Sequence, residues 1–63
     1  MTNRKKRIDE ITDKMYYHFV ELVSLANDLE VLSLNKYGEA VRSIADQLDR
    51  TAIRIIDKHL KHS

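Results

Sequence analysis

The stretch "SLNKYG", Ser33 to Gly38, interrupts an otherwise helical pattern and thereby decides the fold. The chain has no proline and a single glycine, Gly38, so long helices are favoured elsewhere. Serine and asparagine favour turns and caps, and glycine adopts a left-handed conformation at little steric cost. We expect a helix over about residues 5–32, a turn over about 33–37 and a second helix over about 38–61, with Asn35 as its N-cap.

Both sides of this turn carry helical apolar periodicity. Before the turn, one heptad row holds Ile8, Met15, Leu22 and Leu29, a second row holds Ile11, His18, Leu25 and Leu32, and Phe19 and Ala26 widen the stripe. After the turn, Val41, Ile44, Leu48, Thr51 or Ala52, and Ile55 follow one another at alternating three- and four-residue spacing. The small residues Ala40, Ala45 and Ala52 would allow close helix approach. The pattern predicts one all-α domain over residues 1–63, an antiparallel two-helix hairpin.

The length of 63 residues makes association with another chain the expected stabiliser. The absence of cysteine excludes disulfides and thiolate sites, and His18, His59 and His62 fit no zinc spacing, so no metal or cofactor is expected. Because two helices alone cannot enclose a core, we expect a homodimer that forms a four-helix bundle. Its predicted dimer core comprises Ile11, Met15, His18, Leu22, Leu25, Leu29, Ile44, Leu48 and Ile55.

The segment "MYYHFVELV", Met15 to Val23, carries more apolar residues than one face needs. Tyr16, Val20 and Val23 cluster about 140° from the centre of the stripe. They are either scattered surface residues or a docking surface for a partner protein. His18 is expected to be structural, or to face its symmetry mate and sense pH. Since no nucleophile or carboxylate is positioned by sequence to work with it, an enzyme is not expected.

The net charge of +1 hides two basic ends and an acidic middle. The candidate nucleic-acid contacts are Arg4, Lys5, Lys6 and Arg7 near the start, with Lys58 and Lys61 near the end. Two other interpretations are a solvated tail and an antiparallel dimer in which this end lies beside the acidic residues Asp28, Glu30 and Glu39 of the other subunit's loop end. No stretch approaches the ~20 apolar residues that span a bilayer, and no signal peptide is apparent, so a cytoplasmic protein without membrane contact is expected.

These features favour a small non-enzymatic regulator, of the bacterial or phage type, that binds a protein partner. The alternative is an RNA- or DNA-binding modulator. In length, hairpin arrangement and heptad pattern the chain resembles Rop, a family of small plasmid-encoded hairpins that dimerise antiparallel and bind paired RNA loops. That resemblance implies an RNA face on the first helices, with Lys14, Tyr17 and His18 as counterparts and Arg4 and Lys5 near its end.

A second resemblance points to a third function. The segment "ADQLDR", Ala45 to Arg50, is similar to the serine–glutamine–glutamate–leucine–aspartate signature of the small sporulation phosphatases, which are also helical hairpins. Leu48 and Asp49 match that signature, whereas Ala45 and Asp46 replace its serine and glutamine. The resemblance implies hydrolysis of aspartyl-phosphate on response regulators.

Overall fold

A computed structural model describes residues 3–60 and confirms the helical hairpin. Helix α1 spans Asn3–Val31 (29 residues), helix α2 spans Asn35–His59 (25 residues), and the two pack against each other. The Cα atoms fill an elongated volume of 49 × 15 × 11 Å. Neither helix contains, within the described residues, an apolar stretch long enough to cross a membrane.

The turn between the helices is shorter than the sequence predicts. The Leu34 N–H donates to the Leu29 carbonyl at 2.9 Å, and the Ser33 N–H donates to the Glu30 carbonyl at 2.9 Å. These two bonds form a Schellman motif, whose C′ residue must be left-handed, and Ser33 has φ 64°. Residues 32–34 therefore complete the reversal of the chain, and α2 begins three residues earlier than expected.

One expectation about this region was wrong, and one was right. Asn35 is not the N-cap: it is the first residue of α2, and Leu34 occupies the cap position without a side-chain cap hydrogen bond. Gly38 lies within α2, as predicted, and is helical and buried there. A Cβ at Gly38 would lie 2.9 Å from Glu30 Cγ and 3.1 Å from the Ala26 carbonyl oxygen, so the glycine permits close helix approach.

Small residues line the contact between the helices. Gly38, Ala45 and Ala52, spaced by one heptad on α2, are buried, and so are Thr12 and Ala26 on α1. The expectation of close approach is confirmed for Ala45 and Ala52, but Ala40 is exposed. The Thr12 hydroxyl lies 3.1 Å from the Ile8 carbonyl oxygen and 3.0 Å from that of Asp9, so backbone acceptors on its own helix satisfy it.

Large apolar side chains are only partly covered by this contact. Met15, Phe19, Leu22 and Leu29 on α1 are half-buried, as are Val41, Leu48 and Ile55 on α2. None of the large side chains within residues 3–60 is fully buried. Because the hairpin brings its backbones close through small residues, its bulky residues project to the two sides, where a single copy leaves them in water.

Candidate interaction surfaces

A polar cluster marks one side of the hairpin. Arg42 on α2 donates from Nε to Glu30 Oε2 at 2.9 Å and from Nη2 to Glu30 Oε1 at 3.0 Å, and its Nη2 also donates to Asn27 Oδ1. The hydrogen bond from Arg42 lowers the pKa of the Glu30 carboxyl. The same bond raises the pKa of the Arg42 guanidinium. Arg42 was not among the predicted site residues, since its partners lie in the other helix.

The opposite side of the hairpin is apolar. Leu25 precedes Asn27 by two residues and Ile44 follows Arg42 by two, which places each about 200° around its helix from that cluster. Residues one heptad apart lie within about 20° of each other around a helix. On α1, Leu32 lies one heptad after Leu25 and Ile11 lies two heptads before it. On α2, Tyr37 lies one heptad before Ile44. We call these residues the Leu25 face: Ile11, Leu25, Leu32, Tyr37 and Ile44.

Every member of the Leu25 face is exposed in the single hairpin. Leu25 is 54% exposed and Ile44 is 53% exposed, while Leu32 and Tyr37 are exposed further still. Three residues of the predicted dimer core, Ile11, Leu25 and Ile44, therefore lie on this face, and the contact between the two helices does not bury them. The other apolar core candidates, Met15, Leu22, Leu29, Leu48 and Ile55, are half-buried between the helices. Both groups have surface left for a second chain to cover.

His18 shares the row of Ile11 and Leu25, one heptad from each. Its side chain is 68% exposed, and its Nδ1 lies 3.1 Å from Glu21 Oε1. Within residues 3–60, the exposed Glu21 carboxylate is the only hydrogen-bond partner of the ring. The single hairpin does not cover the ring, so a contact between the two copies of His18 in a dimer stays a prediction.

A second apolar area lies on the same side as the Arg42 cluster. Tyr16, eleven residues before Asn27, and Ile53, eleven after Arg42, return to nearly the same direction on their helices. Tyr16 is 60% exposed, Val20 46% and Ile53 49%. The Tyr16 ring contacts Tyr17, with ring centroids 6.3 Å apart, and Phe19, at 6.5 Å. We call Tyr16, Val20 and Ile53 the Tyr16 flank.

The predicted strip on α1 is only partly confirmed by this flank. Val23, its third member, is half-buried at the edge of the contact with α2. Ile53 was not predicted to lie there, because the pattern of one helix does not give its rotation relative to the other. The exposed residue of α2 that lies on the same side as Tyr16 is therefore unknown from the sequence. The Arg42 contacts supply that information.

The open end of the hairpin, where α1 begins and α2 ends, concentrates positive charge. Arg4, Lys5, Lys6 and Arg7 are exposed in the first turns of α1, and Lys58 is exposed in the last turn of α2. A cavity of about 300 Å³ at this end is lined by Asn3, Lys6, Arg7 and Glu10. Lys61 falls outside the described residues. Four cations at a helix N-terminus oppose the helix dipole, so this arrangement weakens α1 locally.

The segment that resembles a phosphatase signature faces in several directions. Ala45 is buried and Asp49 is half-buried. Asp46 forms an ion pair with Arg50, with 3.0 Å between Asp46 Oδ2 and Arg50 Nη2. Residues 3–60 contain no group of three or more histidine, aspartate or glutamate side chains placed to hold a metal ion.

Comparison with known proteins adds no relative: no protein-family model, no curated protein and no solved structure matches the chain.

Proposed function

We propose that this hairpin is one half of a homodimeric four-helix bundle that works by binding another protein, without catalysis. The observation that carries the proposal is the exposure of two separate apolar areas, the Leu25 face and the Tyr16 flank, on opposite sides of one thin hairpin. Soluble monomers rarely leave large contiguous apolar patches in water. One area is assigned to the second copy and the other to the partner protein.

The Leu25 face suits a second copy. It runs the length of the hairpin, from Ile11 near the open end to Leu32 and Tyr37 near the loop, and it continues into the half-buried residues between the helices. A two-fold interface buries the same surface on both copies, so the Leu25 face of one copy can pack against the Leu25 face of the other. Covering it would complete a core that small residues leave open in one hairpin.

Charge favours an antiparallel arrangement of the two copies. Within the described residues, the open end (3–10 and 54–60) carries six bases against three acids. The loop end (25–42) carries three acids against two bases, and one pair of these, Glu30 and Arg42, is already neutralised. A parallel dimer would set two positive ends together, whereas an antiparallel dimer sets each beside a weakly negative loop end.

Cross-linking distinguishes these arrangements, because the chain has no cysteine of its own. In an antiparallel dimer, a mixture of Ile11→Cys and Leu25→Cys chains should form a mixed disulfide, and Leu32→Cys alone should form little. Efficient homodimer cross-linking of Leu32→Cys would show a parallel dimer instead.

The Tyr16 flank is proposed as the site for the partner protein. Protein interfaces concentrate their energy in a few aromatic and apolar anchors, and Tyr16 is the exposed aromatic residue at the centre of this flank. The test is capture of partners from a cell extract treated with nuclease. The double variant Tyr16→Ser, Val20→Ser should keep the dimer mass but lose the captured protein.

Tyr17 provides a matched control for this test. It is 68% exposed and adjacent to Tyr16, but it points about 100° further around α1. Tyr17→Ser should capture the partner as the parent does. Equal capture by the double variant and the control would contradict the assignment. Loss of the dimer in the double variant would mean that the flank belongs to the bundle.

A nucleic acid is the second candidate partner, and the basic open end supports it. Four cations placed against the dipole of α1 reduce helix stability, and a phosphate backbone bound at this end would neutralise them. If Arg4, Lys5, Lys6 and Arg7 contact phosphates, each contact adds roughly −0.7 to −0.9 to the slope of log K against log salt. Changing all four to alanine should flatten that slope for structured RNA and duplex DNA alike. Absence of binding by the parent at ~50 mM salt would reject this function.

A further inference from the structure

The row of residues that crosses the Leu25 face has one polar member, His18, with Ile11 and Leu25 one heptad to either side. An antiparallel partner that sets its Leu25 against Ile11, and its Ile11 against Leu25, has its two-fold axis midway between those residues. That midpoint is His18. A parallel partner in register would also place equal residues together, so the two copies of His18 meet in either orientation.

We propose that the two His18 side chains meet at the two-fold axis of the homodimer and make its assembly sensitive to acid. The inference rests on the proposed dimer through the Leu25 face. A polar residue at a single position of an apolar helical seam is a known device for fixing register and oligomeric state. Histidine adds a charge change between about pH 5 and 8, which no other residue of this row has.

The contacts of His18 determine the chemistry. If Nδ1 carries the proton that Glu21 Oε1 accepts at 3.1 Å, Nε2 is left free to point to the other subunit. One additional proton can then be shared between the two Nε2 atoms, which satisfies both rings. A second additional proton puts two positive imidazolium rings side by side, where they repel each other and lose hydration.

Among the described residues, no charged side chain on this side of the hairpin lies between the two rings to separate their positive charges. On α1, Glu21 lies 3.1 Å from the ring, and Lys14 lies one turn before it on the same face. On α2, the side chains on this side nearest the middle of the hairpin are Ile44 of the Leu25 face and its neighbours Leu48 and Thr51, none of which titrates. Each Glu21 carboxylate lies on the Nδ1 side of its ring, so it does not separate the two Nε2–H groups that face each other across the axis once both histidines are protonated.

The experiment is the dimer dissociation constant at pH 7.5 and at pH 5.0, measured by sedimentation equilibrium, with helix content followed by circular dichroism. We expect the parent dimer to weaken roughly tenfold to a hundredfold at the lower pH. His18→Leu restores an apolar row and should give a tighter dimer with little change between the two values of pH. A double variant at the remaining histidines, His59→Gln with His62→Gln, should keep the response of the parent.

Two results would overturn the inference, and they differ from failure of the dimer itself. A parent dimer with the same dissociation constant at both values of pH would show that its assembly is not sensitive to acid. A His18→Leu dimer that weakens as much as the parent would assign the response to other groups. A monomer at every pH and concentration would overturn the proposed dimer, and the inference with it.

Discussion

Ile44 and Ile53 occupy opposite sides of α2 with nearly the same exposure, 53% and 49%. Ile44 lies on the Leu25 face and Ile53 on the Tyr16 flank, beside the side marked by Arg42. The two residues have the same side chain and stand in the same helix. They therefore separate the effect of apolar exposure as such from the effect of the face to which a residue belongs.

Leu22→Ala should destabilise the protein by ~2–5 kcal/mol, because Leu22 is half-buried in the hairpin and its remaining surface belongs to the proposed core of the bundle. Chemical denaturation measures this loss. Val31→Ala is the control: Val31 is 82% exposed, and its change should stay within about 0.5 kcal/mol. Equal effects of the two variants would show that Leu22 is not part of a core.

Ser33→Gly should stabilise the hairpin by about 1 kcal/mol. Ser33 has φ 64° at the C′ position of α1, and a left-handed conformation strains every residue with a Cβ by roughly 1–2 kcal/mol. Ser43→Gly, at an exposed interior position of α2, should have the opposite effect, a loss of about 0.5 kcal/mol of helix propensity. Thermal melts that shift the same way for both variants would contradict the assignment of the turn.

Gly38→Ala should destabilise the protein by about 1 kcal/mol, although alanine is the better helix former. Its Cβ would lie 2.9 Å from Glu30 Cγ and 3.1 Å from the Ala26 carbonyl oxygen. The change must therefore displace Glu30 from Arg42 or separate the helices.

A double-mutant cycle identifies the cause of this loss. In a Glu30→Ala background the side-chain clash is absent, so Gly38→Ala should become neutral or stabilising. The same loss in both backgrounds would assign the cost to the backbone of α1 instead.

The ion pair between Glu30 and Arg42 predicts part of the acid response of the fold. Arg42 lowers the pKa of Glu30, so the pair stabilises the folded chain above the ordinary pKa of glutamate. This contribution is lost as the pH falls through the lowered pKa of the folded state. Glu30→Gln should therefore melt lower than the parent at pH 7 and converge with it as the pH falls below that lowered pKa. Glu39→Gln, at an exposed position of α2, is the control and should not converge in this way.

Apolar periodicity was sufficient to predict two long helices and their turn, because the heptad rows on both sides of "SLNKYG" leave few alternatives. The helix boundaries were less accurate. Ser33 adopts a left-handed conformation that propensity assigns to glycine, since the Schellman hydrogen bonds of Leu34 and Ser33 compensate for the strain. Gly38 was then available for a different purpose, the close approach of α2 to Ala26.

The arrangement of side chains around the hairpin was harder to predict. A helical pattern gives the directions of residues on one helix, but the rotation of one helix relative to the other depends on the contact between them. The cluster of Arg42 with Glu30 and Asn27 fixes that rotation here. These contacts assign Leu25 and Ile44 to one side of the hairpin, and Tyr16 and Ile53 to the other.

The most direct test of the central claim is the mass in solution of Ile44→Lys and Ile53→Lys, measured by light scattering over a range of micromolar concentrations. The parent and Ile53→Lys should both have twice the chain mass of 7.4 kDa. Ile44→Lys, which places a charge in the Leu25 face, should have the mass of one chain and lose helix content. A dimer of unchanged mass for Ile44→Lys, or a well-folded monomer of the parent, would contradict a bundle formed through this face.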